Sequence, residues 1–108
     1  MADSTQGFIA VASLDELGEG HRLCLEVEDR FVVLVRIGQQ VFCLDDVCTH
    51  DGGPLGEGDL DDHCLVCPRH GAKFDVRTGQ AVSMPATEPT IAHEVKIEGD
   101  KILVRLKD

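Results

Sequence analysis

Cys48-Thr49-His50 and, after sixteen intervening residues, Cys67-Pro68-Arg69-His70 constrain this chain more tightly than any other stretch of it. Each bracket sets one Cys and one His two or three residues apart, so a single short loop can offer both side chains from one side of its backbone. Two such loops facing each other would hold a metal centre. Zinc sites commonly pair Cys with Cys and His with His along the chain, whereas here each loop is mixed. That lets one metal take both sulfurs and a second take both nitrogens; a single structural zinc is the plainer alternative.

Outward from the brackets, the linking segment Asp51-Gly52-Gly53-Pro54-Leu55-Gly56-Glu57-Gly58 is too rich in glycine for regular structure and reads as a loop. The rest of the chain is punctuated by Gly and Asp at the short intervals of an all-β protein. Phe8 to Val11 reads as a strand, and Ser13 to Leu17 as a capped single turn. His21 to Val27 alternates and turns at Glu28-Asp29-Arg30 into Phe31 to Ile37. Gly38-Gln39-Gln40 closes a hairpin onto Val41 to Leu44, which runs into the first bracket. His63 to Val66 delivers Cys67, and Lys73 to Val76 follows His70 before a turn at Arg77-Thr78-Gly79-Gln80. Ile91 to Ile97 and Ile102 to Leu106 form a last hairpin around Glu98-Gly99-Asp100. No segment of useful length has helical periodicity. The expectation is a β framework built from the two ends of the chain, with an inserted lobe from about residue 42 to 80.

The 108 residues suit one domain, 1–108, with a modest core. Hydrophobic residues are 43% of the chain but aromatics only 4%, so that core must be aliphatic, helped by four Phe. The formal charge of −10 disfavours nucleic acid and anionic lipid and attracts basic protein surfaces in a salt-dependent way; its plainer role is solubility. No apolar run approaches a membrane span: Phe31 to Val35, among the longest, has five residues. The first residues lack the basic and apolar regions of a signal peptide. Five Cys, an odd number, fit a reducing compartment better than a disulfide framework. The reading is a cytoplasmic chain with no membrane and no nucleic-acid partner.

Cys48-Thr49-His50 and Cys67-Pro68-Arg69-His70-Gly71, continued by Phe74-Asp75 and Thr78-Gly79, resemble the two cluster-binding segments of Rieske [2Fe–2S] proteins. The resemblance extends to the flanking strands and so covers nearly the whole chain. It implies an antiparallel β-sandwich of stacked sheets with a small inserted cluster-binding lobe, and one Rieske-type [2Fe–2S] cluster. Carried over, Cys48 and Cys67 would bind the inner iron, and His50 and His70 the outer one, whose exposed imidazole edges would be the electron exit. Replacing two thiolates by neutral imidazoles raises the potential relative to an all-Cys cluster.

Departures from the respiratory pattern sort the chain further. Gly53 and Arg69 stand where those members carry a bracing disulfide, and Ala72 and Phe74 where they carry a Ser and a Tyr that hydrogen-bond the sulfurs. Losing those donors lowers the potential, toward the low end of roughly −150 to +300 mV. The resemblance therefore implies a soluble, monomeric ferredoxin passing single electrons from a flavin-dependent reductase to a terminal oxygenase or similar acceptor. Met84-Pro85-Ala86 matches a Pro-containing loop that covers the cluster. A Rieske oxygenase α-subunit, with its mononuclear iron site, does not fit this length. Other readings are an accessory subunit of a nitrite-reductase-like or iron–sulfur-assembly system, a redox sensor, or a zinc-stabilised interaction module.

The remaining chemistry-bearing residues have plainer readings. Cys24, Cys43 and Cys64 lie in strand-like runs, where Cys serves as a small buried hydrophobe. His21, His63 and His93 lack ligand spacing and read as surface or strand residues. Arg69, Lys73 and Arg77 flank the brackets and are solvated, or else ring a docking surface. There is no nucleophile with a partnered base, no phosphate-binding glycine loop and no flavin or nicotinamide fingerprint, so the chain is expected to catalyse nothing by itself.

Overall fold

The structure is a computed structural model that describes residues 7–46, 58–67, 71–82 and 90–107. Nine strands occupy the described residues: β1 (Ile9–Ser13), β2 (Arg22–Val27), β3 (Arg30–Ile37), β4 (Gln40–Asp45), β5 (Leu60–Asp61), β6 (Cys64–Val66), β7 (Lys73–Asp75), β8 (Ala92–Glu98) and β9 (Lys101–Arg105). They match the expected strands to within a residue or two, and β5 is an addition. Between β1 and β2 lies a single 3-10 turn, Leu14–Glu16, where the Glu16 carboxylate accepts a hydrogen bond of 2.8 Å from the Ser13 N–H.

All pairings are antiparallel and form a six-stranded sheet, β1-β9-β8-β4-β3-β2, and a three-stranded sheet, β5-β6-β7. The three-stranded sheet comes wholly from the segment between β4 and β8, as expected for an inserted lobe. The larger sheet bends at β8, which shares only two residue pairs with β4, Cys43 with His93 and Leu44 with Ala92, before continuing with β9.

Strand β3 explains how these parts pack. Its side chains alternate, and both faces are buried. Val32 and Leu34 join Leu17, Val27, Val41, Cys43, Ile102 and Val104 in one core, between the two halves of the bent sheet. Val33 and Val35 point the other way and, with Leu44, meet Leu65, Cys67, Ala72, Phe74 and Val76 of the lobe. Phe74 is wholly buried there, so truncation to Ala would cost about 3–5 kcal/mol.

Four two-residue turns set the strand registers: Glu28-Asp29, Gly38-Gln39, Asp62-His63 and Gly99-Asp100. The first departs from ordinary turn chemistry. Both of its residues have positive φ, 50° and 66°, as in a type I′ turn, and neither is Gly or Asn. Left-handed backbone costs such residues about 1 kcal/mol each. Replacing Glu28-Asp29 with Asn-Gly is expected to stabilise the chain by about 1 kcal/mol, read as a higher urea midpoint with an unchanged slope.

Candidate functional site

Of the four residues in the two brackets, Cys48, His50 and His70 lie outside the described residues, as do Gly53, Arg69 and the Met84-Pro85-Ala86 segment. Cys67 is described, and so are the points at which each of these segments is attached.

Strand β6 delivers Cys67 into the core shared by the lobe and β3, where the residue is 1% exposed. Its backbone is locked on both sides: the Cys67 N–H donates to the Ala72 carbonyl (2.7 Å), and the Gly71 N–H donates to the Cys67 carbonyl (2.9 Å). The chain from Cys67 to Ala72 therefore leaves and returns at one fixed place, and Gly71 makes the return with φ +78°. In the sequence, His70 falls between Cys67 and Ala72. Ala72 and Phe74, both fully buried beside Cys67, bring no hydroxyl to this core.

The first bracket is anchored by a polar network that the sequence reading missed. Asp45, the last residue of β4, stands three positions before Cys48. Its carboxylate accepts from Arg30 through both oxygens (Nε to Oδ1 3.0 Å, Nη2 to Oδ2 3.1 Å) and lies 2.7 Å from His93 Nε2. The His93 side chain is wholly buried, and its Nδ1 accepts from the Lys107 N–H at 3.0 Å. A backbone N–H can only donate, so Nδ1 is unprotonated and Nε2 carries the hydrogen that it gives to Asp45. His93 is thus a strand residue, as expected, but a buried one that couples β8 and the C-terminal segment to the end of β4. One sequence signal was available: His93 shares strand parity with Val95, a residue packed against the inner core.

A second tie joins the lobe to the framework. Asp75 to Gln80 forms a tight turn, in which the Gly79 N–H donates to Asp75 (2.7 Å) and the Asp75 N–H donates to Gln80 (2.9 Å). The Gly79 carbonyl accepts from the N–H of buried Thr90 at 2.8 Å, while the Asp45 N–H donates to the adjacent Ile91 carbonyl at 2.9 Å. Gly79 must be glycine here: its φ is +83°, and an added Cβ would fall 2.2 Å from the Thr90 carbonyl oxygen.

The flanking charges are engaged within the lobe. Lys73 Nζ lies 2.9 Å from Asp61, and Arg77 makes paired contacts with Asp75 (3.0 and 2.9 Å). These bonds, with the Arg77 N–H, hold the Asp75 carboxyl below the usual carboxylate range. Arg69 is outside the described residues. Among the described residues, no three His, Cys, Asp or Glu side chains gather as a metal site. The cavity of about 300 Å³ between β1 and β2 is lined by aliphatic residues with Glu26 and Glu28 and contains no Cys or His.

The other cysteines divide. Cys43 is buried, as expected, and burial first, then the Asp45 charge, push its thiol up to about 12 against a smaller opposing effect of Arg30. Cys64 is half-buried and also raised, chiefly by burial. Cys24 corrects the expectation of a buried hydrophobe, because it is exposed: it lies on the outer strand β2, whose free edge has no covering layer on that face.

A comparison with known families matches residues 7–104 to the family described as Rieske [2Fe-2S] domain. The ferredoxin component of biphenyl 2,3-dioxygenase from Rhodococcus jostii (strain RHA1) is 37% identical over 97 residues, covering 90% of this chain and 91% of that protein. Among solved structures, the ferredoxin of carbazole 1,9a-dioxygenase from Nocardioides aromaticivorans IC177 superposes with a TM-score of 0.89 at 33% identity, covering 93% of this chain and 98% of the other. A chain in the complex of reduced oxygenase and oxidized ferredoxin in carbazole 1,9a-dioxygenase gives 0.85 at 31% identity, covering 93% and 94%.

Two outcomes test the geometry. Gly79→Ala is expected to cost about 3 kcal/mol or more, whereas Gly71→Ala, with a similar φ but no described atom within 4 Å of the added carbon, should cost only about 1–2 kcal/mol; urea denaturation separates them. Burial keeps the Cys43 thiol almost wholly protonated and shielded at pH 8, so alkylation mapped by mass spectrometry should label exposed Cys24 early and Cys43 last.

Proposed function

This chain belongs to the Rieske [2Fe–2S] domain family, and on that premise we propose that it is the ferredoxin component of an oxygenase system, taking single electrons from a flavin-dependent reductase to a terminal oxygenase. The observation that carries this reading is the end-to-end likeness to ferredoxin components of dioxygenases: the chain spans 98% of the carbazole dioxygenase ferredoxin and 91% of the biphenyl dioxygenase ferredoxin. The complex of oxygenase with ferredoxin supports the oxygenase as the electron acceptor.

Cys48 and Cys67 are assigned to one iron, and His50 and His70 to the other. The described part of this donor set fits a [2Fe–2S] cluster. Cys67 forms no disulfide among the described residues and stands at the root of a backbone-locked loop, inside an apolar core. When bound, the cluster supplies one-electron redox chemistry. The chain supplies the rest: β6 and the Cys67–Ala72 closure hold one bracket, and the Arg30–Asp45–His93 network holds the root of the other. Such supporting contacts orient ligands and tune the site. Ala72 and Phe74 offer no hydroxyl to the sulfurs, which favours a low potential. The chain itself performs no bond-making chemistry; it carries electrons as a monomer in the cytoplasm.

The purified chain is expected to be brown, to contain equal iron and acid-labile sulfide, and to give a Rieske-type EPR signal on reduction. Its midpoint should lie toward the low end of roughly −150 to +300 mV. His70→Cys should shift or abolish the signal, and Cys64→Ser should preserve it. Zinc in place of iron, or a midpoint well above zero, would refute the corresponding part of this assignment.

A further inference from the structure

Phe31 is 65% exposed, in a chain with only four Phe and no Tyr or Trp. A single exposed apolar residue is ordinary on any protein surface; its place in the fold is what distinguishes this one. Phe31 follows Val33 and Val35 on one face of β3 by the two-residue period, and that face carries the lobe holding Cys67. It also sits at the end of β3 beside the exit of β4, where the Asp46 N–H donates to the Phe31 carbonyl at 3.0 Å. Both face and end therefore coincide with the candidate centre.

Chain geometry limits the separation. Asp46, two residues before Cys48 in the sequence, lies across the strand pair from Phe31, about 5 Å away, so Phe31 stands beside the root of the first bracket. A protein docked over the first bracket with an ordinary footprint of about 800 Å² per partner covers a radius of about 16 Å. Around Phe31 the exposed charges are acidic. Glu26 is its cross-strand partner on β2, and Glu28 and Asp29 form the exposed turn between the two strands. Arg30, next to Phe31 in the chain, has its guanidinium on Asp45.

We propose that Phe31, with Glu26, Glu28 and Asp29, forms a docking surface for a redox partner whose electron-transfer site is an apolar patch rimmed by Lys or Arg. The aromatic ring supplies the buried anchor, a residue type enriched at interface cores, and the acids supply orientation and on-rate. This rests on the electron-carrier reading, because it takes the first bracket as part of the redox centre.

The test uses the reduced, cluster-loaded chain with two acceptors: a lysine-rich cytochrome c as the protein probe and ferricyanide as a small-molecule control. Phe31→Ser is expected to lower the second-order rate to cytochrome c about five- to tenfold, leaving the midpoint, EPR signal and ferricyanide rate unchanged; Phe31→Tyr should restore it. Glu26→Gln with Glu28→Gln and Asp29→Asn should flatten the salt dependence of the cytochrome rate. Ile97→Ser, at the opposite end of β8 and also exposed, should have no effect. An unchanged cytochrome rate in Phe31→Ser, or an equal loss in Ile97→Ser, would overturn the surface while leaving the carrier intact. A wild-type chain that takes up no cluster would overturn the carrier reading and the surface with it.

Discussion

Strand β3 is buried on both faces, and this double burial ties the framework to the lobe. A strand that presents Val32 and Leu34 to one core and Val33 and Val35 to another cannot slip by one residue without exchanging the two sets. The framework and the lobe are therefore in register with each other through a single strand. With aromatics at 4% of the chain, close packing of Val, Leu and Ile must supply most of the stability on both sides. That packing also places Cys67 in the second core, so the root of one bracket is fixed by the same apolar contacts that attach the lobe.

Polar ties complete what packing begins. Asp45 ends β4 within a network joining Arg30 and His93, and the Thr90 N–H reaches Gly79 in the lobe. These bonds gather at the end of the sheet from which both the first bracket and the segment before β8 depart. They are partly or wholly buried, where loss of one partner leaves another polar group unsatisfied. Bonded roots for the two bracket segments suit an electron carrier, since a site held in one geometry has less reorganisation to undergo on gaining an electron. The same end carries Phe31 and the acidic β2–β3 turn, so the supporting network and the proposed docking surface share one region of the fold.

Much of this was legible along the chain. Alternation from His21 to Val27, the turn at Glu28-Asp29 and the hairpin at Gly99 identify strands because side-chain period and turn chemistry are local properties. The resemblance carried by Cys48, His50, Cys67, His70 and the trailing Phe74-Asp75 and Thr78-Gly79 identified the family, since ligand chemistry demands particular residue types at short spacing. The two-residue strand β5 was not legible: its pairing with β6 is set by the partner strand and not by any periodicity of its own. Cys24 was misread as buried because an alternating strand shows which residues share a face, but not whether another layer covers that face.

An all-β chain, the Rieske family and an aliphatic core can be read from the residues alone, because these follow from local pattern and residue chemistry. That His93 is a buried partner of Asp45, that Gly79 is required by the backbone of Thr90, and that Phe31 is exposed beside the end of β4 follow from the three-dimensional fold alone. Each of those depends on residues far apart in the chain being brought within a few ångströms, through strand pairings and sheet packing that no local stretch of sequence encodes alone.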